Sequence, residues 1–284
     1  MSISHDHVMS LTSTDEEFSY GERETMLYAL GIGLGSDPMD KSELAYVYEN
    51  GLKTIPTMAT VIAWGAGRLG ESGINYSMVV HGEQRVTLHK PLPPAATILV
   101  DTRFIACLDK GAGKGAVLIS ETLIRDKKDN APLCTLTSSI FARADGGFGG
   151  SSEGGPQAHN VPDRAPDREV DITTRPDQAL IYRLSGDRNP LHSDPEFARM
   201  VGFPRPILHG LCTYGITCRA VMSAYCDHDA SKIASHDVRF SSPVFPGETV
   251  SVQMWRDGNV ISFEARVKTR DVVVIKNGKS VLLG

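Results

Sequence analysis

The feature that most constrains the fold of this 284-residue chain is an internal repeat. Two stretches recur, and they are Tyr28-Ala-Leu30 with Tyr182-Arg-Leu184, and Pro91-Leu-Pro-Pro94 with Pro243-Val-Phe-Pro246. The first match has an offset of 154 residues and the second an offset of 152. Self-similarity at one long spacing is typical of a duplicated structural unit. The sequence therefore predicts two tandem copies of one fold.

A glycine-rich stretch separates the two copies. It begins at Asp145, contains Gly146-Gly-Phe-Gly-Gly150, and continues as a proline- and aspartate-rich segment to about Asp171. Such a composition cannot bury a core and is typical of a flexible linker, and no strand-then-helix context supports a phosphate cradle. We predict an N-terminal unit over residues 1–144, a linker over 145–171 and a C-terminal unit over 172–284.

Both copies show the same order of predicted elements: a short helix, a long helix, and then strands. The long helices are predicted over Pro56–Leu69, with Trp64 on its core face, and over Gly210–Tyr225, where apolar residues recur at helical spacing. The predicted strands are Ile98–Leu108, Ala116–Asp126, Ala131–Ala142, Ser235–Phe240, Thr249–Arg256, Val260–Thr269 and Asp271–Ile275, with hairpin turns at Asp257-Gly258-Asn259 and Asn277-Gly278. This order predicts an α+β fold in which two helix-wrapping sheets pack together.

Composition narrows the class of protein. The chain is 41% hydrophobic and 22% charged, as in an average soluble globular protein. A net charge of −5 without a basic block gives no electrostatic support for a nucleic-acid partner, and no run of 18 apolar residues predicts a membrane span. The five cysteines form no C-x-x-C pair, so they are expected to be buried thiols.

The chain ends predict a location. The first ten residues lack the basic and apolar regions of a signal peptide, and the last three, Leu282-Leu-Gly284, are not the peroxisomal signal Ser-Lys-Leu. We therefore expect a cytoplasmic, bacterial enzyme.

One segment of the second copy carries candidate acid–base residues. Asp187 and His192 lie five residues apart in Tyr182-Arg-Leu-Ser-Gly-Asp-Arg-Asn-Pro-Leu-His192, where Gly186 and Pro190 interrupt any helix. A carboxylate and an imidazole on such a bent loop can both face one water, as addition of water to a C=C bond requires. Asn189 can support the pair, and the Gly210 N–H, at the start of the long helix, can stabilise an oxyanion. The alternative is that these are ordinary turn residues.

This segment resembles the hydratase 2 motif of the MaoC-like family, which includes the (R)-specific enoyl-CoA hydratases and the hydratase unit of peroxisomal multifunctional enzyme type 2. The resemblance covers nearly the whole chain, since Tyr28–Gly35 and Val79–Gln84 also look like the family's N-terminal half. It implies a double hot-dog fold and reversible hydration of trans-2-enoyl-CoA to (3R)-3-hydroxyacyl-CoA in β-oxidation. It also implies no metal or redox cofactor, an acyl-CoA thioester as substrate, and a homodimer.

Residue by residue, the resemblance makes Asp187 and His192 the catalytic pair, with Asn189 and the Gly210 amide in support. His81, Gly82, Lys110 and Phe240 match positions that line the CoA thioester site. His81 can instead be a core or turn histidine, and Lys110 an ordinary surface lysine. The resemblance leaves open whether the acyl group is a fatty chain or a sterol side chain.

The repeat tests whether both copies carry the pair. At offsets of 154 and 152, Asp187 corresponds to Gly33 or Gly35, and His192 to Pro38 or Asp40. We therefore expect one active site per chain, with the first copy accommodating the acyl chain. An acyl-CoA thioesterase on the same fold and a non-catalytic acyl-CoA binding protein are the alternative functions.

Overall fold

The computed structural model describes residues 3–284, and all ten of its strands belong to one antiparallel sheet. The strands are β1 Thr12–Tyr20, β2 Val79–Leu88, β3 Ala96–Asp109, β4 Ala116–Asp126, β5 Pro132–Ala142, β6 Arg168–Thr173, β7 Ile233–Phe240, β8 Thr249–Asp257, β9 Val260–Val267 and β10 Val272–Leu282. The α-helices are α1 His5–Ser10, α2 Glu22–Gly31, α3 Lys41–Leu44, α4 Gln178–Tyr182, α5 Pro195–Met200 and α6 Gly210–Tyr225.

The order of strands in the sheet confirms the duplication. The order is β1-β3-β4-β5-β2-β7-β10-β9-β8-β6, so the two halves mirror each other about the central β2–β7 pair. Residues 233–240 of β7 correspond to residues 81–88 of β2 at the predicted offset of 152. Equivalent strands of the two copies therefore meet at the centre, and the predicted α+β class is confirmed.

In the second unit the sheet wraps α6, whose bounds are those predicted. The helix is buried over most of its length and packs on β6, β7 and β8. Gly215 is in close contact with the C-terminal end of α2, because a Cβ there would be 2.5 Å from a side-chain carbon of Ile32 and 2.9 Å from the hydroxyl oxygen of Tyr28. The first unit thus docks against the helix of the second.

The prediction of a long helix over Pro56–Leu69 is wrong. Only Pro56–Thr60 forms a turn of 3₁₀-helix, and the chain continues as turns. Gly65 and Gly67 adopt positive φ values of 92° and 88°, a conformation that cannot continue a right-handed helix. Trp64, expected on a helix core face, is instead 43% exposed.

The other predicted elements differ from the structure mainly in their bounds. β10 continues through Asn277-Gly278, where the pairing with β9 shifts register and Asn277 has φ 55°, so the predicted hairpin turn is a β-bulge. The predicted linker has no regular structure as far as Asp167, but its last four residues, 168–171, belong to β6. β1, β2 and β6 were not among the predicted strands. All five cysteines are buried thiols, as predicted.

An ion pair joins the two units beside α6. Arg219 Nε of that helix donates to Glu43 Oε1 at 2.8 Å, and the other carboxylate oxygen of Glu43 accepts from the Gly35 amide at 2.8 Å. Glu43 is 4% exposed, so removal of Arg219 would leave a buried carboxylate without its ion-pair partner. Within residues 3–284 no helix is long and apolar enough to cross a membrane.

Candidate active site

The two predicted acid–base residues face each other on the loop that follows α4. Gly186 has φ 137°, which turns the chain out of the preceding 3₁₀ turn and presents Asp187. His192 lies in a second 3₁₀ turn, Pro190–His192, and its Nε2 is 3.8 Å from Asp187 Oδ2. The His192 side chain is 9% exposed and that of Asp187 is 25% exposed, so the imidazole is buried and the carboxylate keeps partial contact with solvent.

A backbone contact sets the tautomer of His192. Its Nδ1 is 2.9 Å from the carbonyl oxygen of Ile207, and a carbonyl oxygen can only accept, so Nδ1 carries the proton. The unprotonated Nε2 then faces Asp187. Burial lowers the pKa of His192 below its usual 6.5, which favours the neutral base near neutral pH.

Asn189 supports both members of the pair. Its backbone N–H donates to Asp187 Oδ1 at 3.0 Å. Its side-chain oxygen accepts from the backbone N–H of Leu191 at 3.0 Å and so caps the turn that carries His192. Asp194 then caps α5, with Pro195 at the first helical position. The loop is therefore held at both ends by local backbone contacts.

His209 is a site residue that the sequence reasoning missed. Its ring stacks on His192 with centroids 3.7 Å apart, and its Nε2 donates to the backbone oxygen of Asp187 at 3.1 Å. Burial, together with the nearby His192, lowers the pKa of His209 to about 3, so its imidazole is neutral. Its position directly before the N-terminus of α6, beside Gly210, was the available signal.

Asp187, His192 and His209 place ligand atoms within 4.8 Å of one another, but the geometry fits a metal ion poorly. A bound metal lies in the plane of each imidazole ring that ligates it. The two histidine rings stack with only 25° between their planes, so their in-plane lone pairs cannot converge on one ion at ~2.1 Å without rearrangement. The cluster fits acid–base chemistry better.

Three of the four predicted substrate-binding residues lie at the N-terminus of α6. A Cβ on Gly210 would be 3.4 Å from the ring of Phe240, and that ring packs against His81 with centroids 4.9 Å apart. Gly82 forms a bulge in β2 next to His81. Burial lowers the pKa of His81 to about 4, so the imidazole is neutral. Within residues 3–284 the Gly210 amide donates no hydrogen bond.

Lys110 lies apart from these residues. It is in the exposed turn between β3 and β4, and its ammonium group donates to the backbone oxygen of Ser152. The structure gives it no contact with Asp187, His192 or Gly210.

Trp64 of the first unit contacts the catalytic loop of the second unit. A Cβ on Gly186 would lie 2.5 Å from Trp64 Cγ, so the indole packs directly against the backbone that precedes Asp187. Only glycine fits Gly186, because of this contact and because its φ is positive. This contact was not predicted, since Trp64 was expected on the core face of a helix.

Comparisons with known proteins define the class. Residues 18–144 match the MFE-2 hydratase 2 N-terminal domain, and residues 157–278 match the MaoC like domain. A crystal structure of a MaoC-like dehydratase from Phytophthora capsici superposes with a TM-score of 0.88, at 34% identity, covering 99% of this chain and 98% of that one. The predicted double hot-dog fold is confirmed.

Two relatives from Mycobacterium tuberculosis place the chain more closely. Enoyl-CoA hydratase ChsH3 is 45% identical, with 92% of each chain covered. 3-Hydroxyacyl-thioester dehydratase Y is 42% identical, covering 84% of this chain and 83% of that one. The chain belongs to the MaoC-like family, in the group that carries the MFE-2 hydratase 2 N-terminal domain, and is a hydro-lyase.

Proposed function

We propose that this enzyme reversibly hydrates trans-2-enoyl-CoA thioesters to (3R)-3-hydroxyacyl-CoA in β-oxidation, at one site per chain. The observation that carries the proposal is the 3.8 Å gap between the unprotonated Nε2 of His192 and Asp187 Oδ2. This gap is too wide for a direct hydrogen bond but lets both atoms contact one water. The names of the two mycobacterial relatives support the same reaction class.

The thioester carbonyl occupies the N-terminus of α6 in this proposal. The free Gly210 amide and the positive end of the helix dipole then stabilise the negative charge that develops on the carbonyl oxygen as C3 is attacked. Phe240 and His81 pack beside this position, and the neutral state of His81 keeps a fixed cation away from the thioester. Lys110, in its exposed turn, meets a CoA phosphate.

The protons balance without another reactant. His192 Nε2 accepts one proton from the water as the hydroxyl bonds to C3, and the electrons of the C=C bond move toward the thioester oxygen. The Asp187–His192 pair then delivers a proton to C2, so the pair returns to its starting state with one water added. Both new bonds form on the face that the pair lines, which gives syn addition. The reaction thus calls for no resident metal or redox cofactor.

The first unit holds the acyl chain in this proposal. Its segment after Thr60 contacts the catalytic loop at Trp64 and continues as turns and two short 3₁₀ helices, with no long helix like α6. An acyl chain extending away from the Asp187–His192 gap therefore has room on the concave face of this unit's sheet. Long or bulky acyl groups, whether fatty chains or sterol side chains, fit this arrangement.

The decisive experiment is turnover of trans-2-enoyl-CoA by purified protein. Loss of the absorbance of the conjugated thioester reports hydration, and chiral separation of the product reports the 3R alcohol. Free thiol is measured in parallel with a saturated acyl-CoA. Release of CoA without hydration would favour the thioesterase alternative, and tight binding without either reaction would favour a binding protein. Turnover that is unchanged after exhaustive chelation is the result expected for cofactor-independent hydration.

A further inference from the structure

The concave faces of the two units differ in exposure. In the second unit α6 covers this face, and Val252, Phe263 and Ala265 on it are each 0% exposed. In the first unit Leu118, Ile124 and Cys134 on the same face are also 0% exposed, but the positions between them on β4 and β5 remain partly exposed, and these are Ser120, Thr122, Leu136 and Ser138. The six-residue α1 packs on β3 of the first unit, with its Val8 in one cluster with Phe104 and Leu118. Beside this cluster, Ser120 and Thr122 keep partly exposed side chains, and these form the floor of this unit.

Strand register identifies the side chains of that floor. Directly opposed residues of an antiparallel pair point to the same face of the sheet. Ser138 of β5 lies opposite Ser120 of β4, and Thr122 lies opposite Leu136, which packs against the core. Ser138 Oγ is 2.9 Å from His81 Nε2, on the side of the sheet that faces α6. The floor therefore carries three hydroxyl groups.

The three hydroxyls form a band that begins at the proposed thioester position. Ser138 is bonded to His81, whereas Ser120 and Thr122 make no side-chain hydrogen bond within residues 3–284. Neighbouring strands are about 4.8 Å apart, so β4 lies roughly 10 Å from β2 across the sheet. The band is thus beyond the reach of a short acyl group but within the reach of a longer one.

A hydrocarbon chain over this band would be unfavourable. Covering a hydroxyl with methylene groups removes it from water without a replacement hydrogen-bond partner, which weakens binding of the chain. An acyl group that carries its own oxygen at the same distance would restore the hydrogen bond.

We propose that this floor selects acyl groups that carry a hydroxyl or keto oxygen remote from the thioester. Ser120 and Thr122 bind that oxygen. This proposal rests on the proposed function, in which the first unit holds the acyl chain. It adds that the substrate is an oxygenated acyl-CoA, in preference to an unsubstituted chain of equal length.

The test compares three substrates: trans-2-butenoyl-CoA, trans-2-decenoyl-CoA and its ω-hydroxy derivative. The expected result is that kcat/KM for the ω-hydroxy substrate exceeds that for the unsubstituted decenoyl substrate by roughly fivefold or more. In a Ser120→Ala and Thr122→Val double variant this preference disappears or reverses, while butenoyl turnover stays at the wild-type level. Thr137→Val is the matched control, because Thr137 lies opposite Arg85 on the convex face.

Equal kcat/KM values in the wild type, or a preference that survives in the double variant, would overturn the proposal. The same comparison is made by calorimetry with decanoyl-CoA and ω-hydroxydecanoyl-CoA, which requires no turnover. Absence of hydration on all three substrates would count against the proposed function, whereas the calorimetric preference would still decide the binding question. Unchanged butenoyl turnover in the double variant shows that the variant is folded.

Discussion

The two units of this chain share their strand order but differ in what lies against the sheet. The second unit wraps α6, carries the acid–base loop and buries its concave face. The first unit has turns where that helix would be, and its concave face stays partly open. A long helix against the sheet is therefore not needed in both units, because the core that the two units share beside α6 stabilises them together.

The largest expected effect is on the catalytic pair of the second unit. Asp187→Asn and His192→Gln should each lower kcat by a factor of about 10² or more, because each removes one of the two groups that exchange protons with water. Steady-state hydration of trans-2-butenoyl-CoA measures the effect. His89→Gln, which changes an exposed histidine bonded to Thr135 in the first unit, is the control and should leave kcat unchanged. Wild-type turnover in either active-site variant would refute the assignment.

The contact between units is tested at Arg219. Arg219→Met leaves the 4%-exposed Glu43 without its cation and should lower the free energy of unfolding by about 3–5 kcal/mol. Urea denaturation measures it, and adding Glu43→Leu should restore most of the loss. As a control, Arg103→Gln breaks the exposed pair with Glu121 and should cost about 0–1 kcal/mol. Equal losses in both single variants would show that the Glu43–Arg219 pair has no special role.

Gly186 tests how the first unit constrains the catalytic loop. Gly186→Ala should destabilise the protein by about 1–3 kcal/mol through its positive φ, and by more through the clash with Trp64, and it should lower kcat because Asp187 is next in sequence. Gly202→Ala is the matched control, since Gly202 has φ 94° and no neighbour within 4 Å of an added Cβ. Gly186→Ala should destabilise the protein more than Gly202→Ala does, and adding Trp64→Ala to Gly186→Ala should remove only this extra destabilisation. No extra destabilisation would mean that the loop does not depend on Trp64.

Stability should fall as pH falls below 6.5. Burial lowers the pKa of His81 to about 4 and those of His209 and His236 to about 3, so the unfolded chain binds protons below pH 6.5 that the folded chain does not. Burial raises the pKa of Asp237 to about 6, which acts in the opposite sense below that pH. Three histidines outweigh one aspartate, so the urea midpoint at pH 5 should be below that at pH 7.5. A midpoint that rises on acidification would contradict these assignments.

The smallest expected effect is at Lys110. If its ammonium meets a CoA phosphate, Lys110→Ala should raise KM by about two- to fivefold at low salt and leave kcat unchanged, because an exposed charge contributes little and is screened. Lys128→Ala, in the turn between β4 and β5, is the control. An unchanged KM at low ionic strength would remove Lys110 from the CoA site.

Local sequence signals predicted the second unit better than the first. α6 was predicted with its observed bounds, since its apolar periodicity is uninterrupted and the following turn is polar. The helix over Pro56–Leu69 was not formed, because two glycines with positive φ break it, and a glycine does not reveal its φ in the sequence. β2 could have been found from β7 through the repeat.

The residues of the candidate site also differ in how well the sequence predicted them. Asp187, Asn189 and His192 were predictable because they lie on one short loop whose turns are determined locally. His209 and Trp64 were missed, since each reaches the loop from a segment distant in sequence. The place of His209 directly before Gly210 was the one local signal, whereas the contact of Trp64 depends on tertiary packing alone.

The central pairing of β2 with β7 has a consequence for how such a protein changes over time. A symmetric dimer of single repeats would present the same surface twice, so any substitution would alter both sites together. Here the equivalent strands meet within one chain, and each copy has its own codons. A substitution on the concave face of the first unit therefore leaves the acid–base loop of the second unit unchanged. Substrate preference can evolve in this way while the catalysed reaction stays the same.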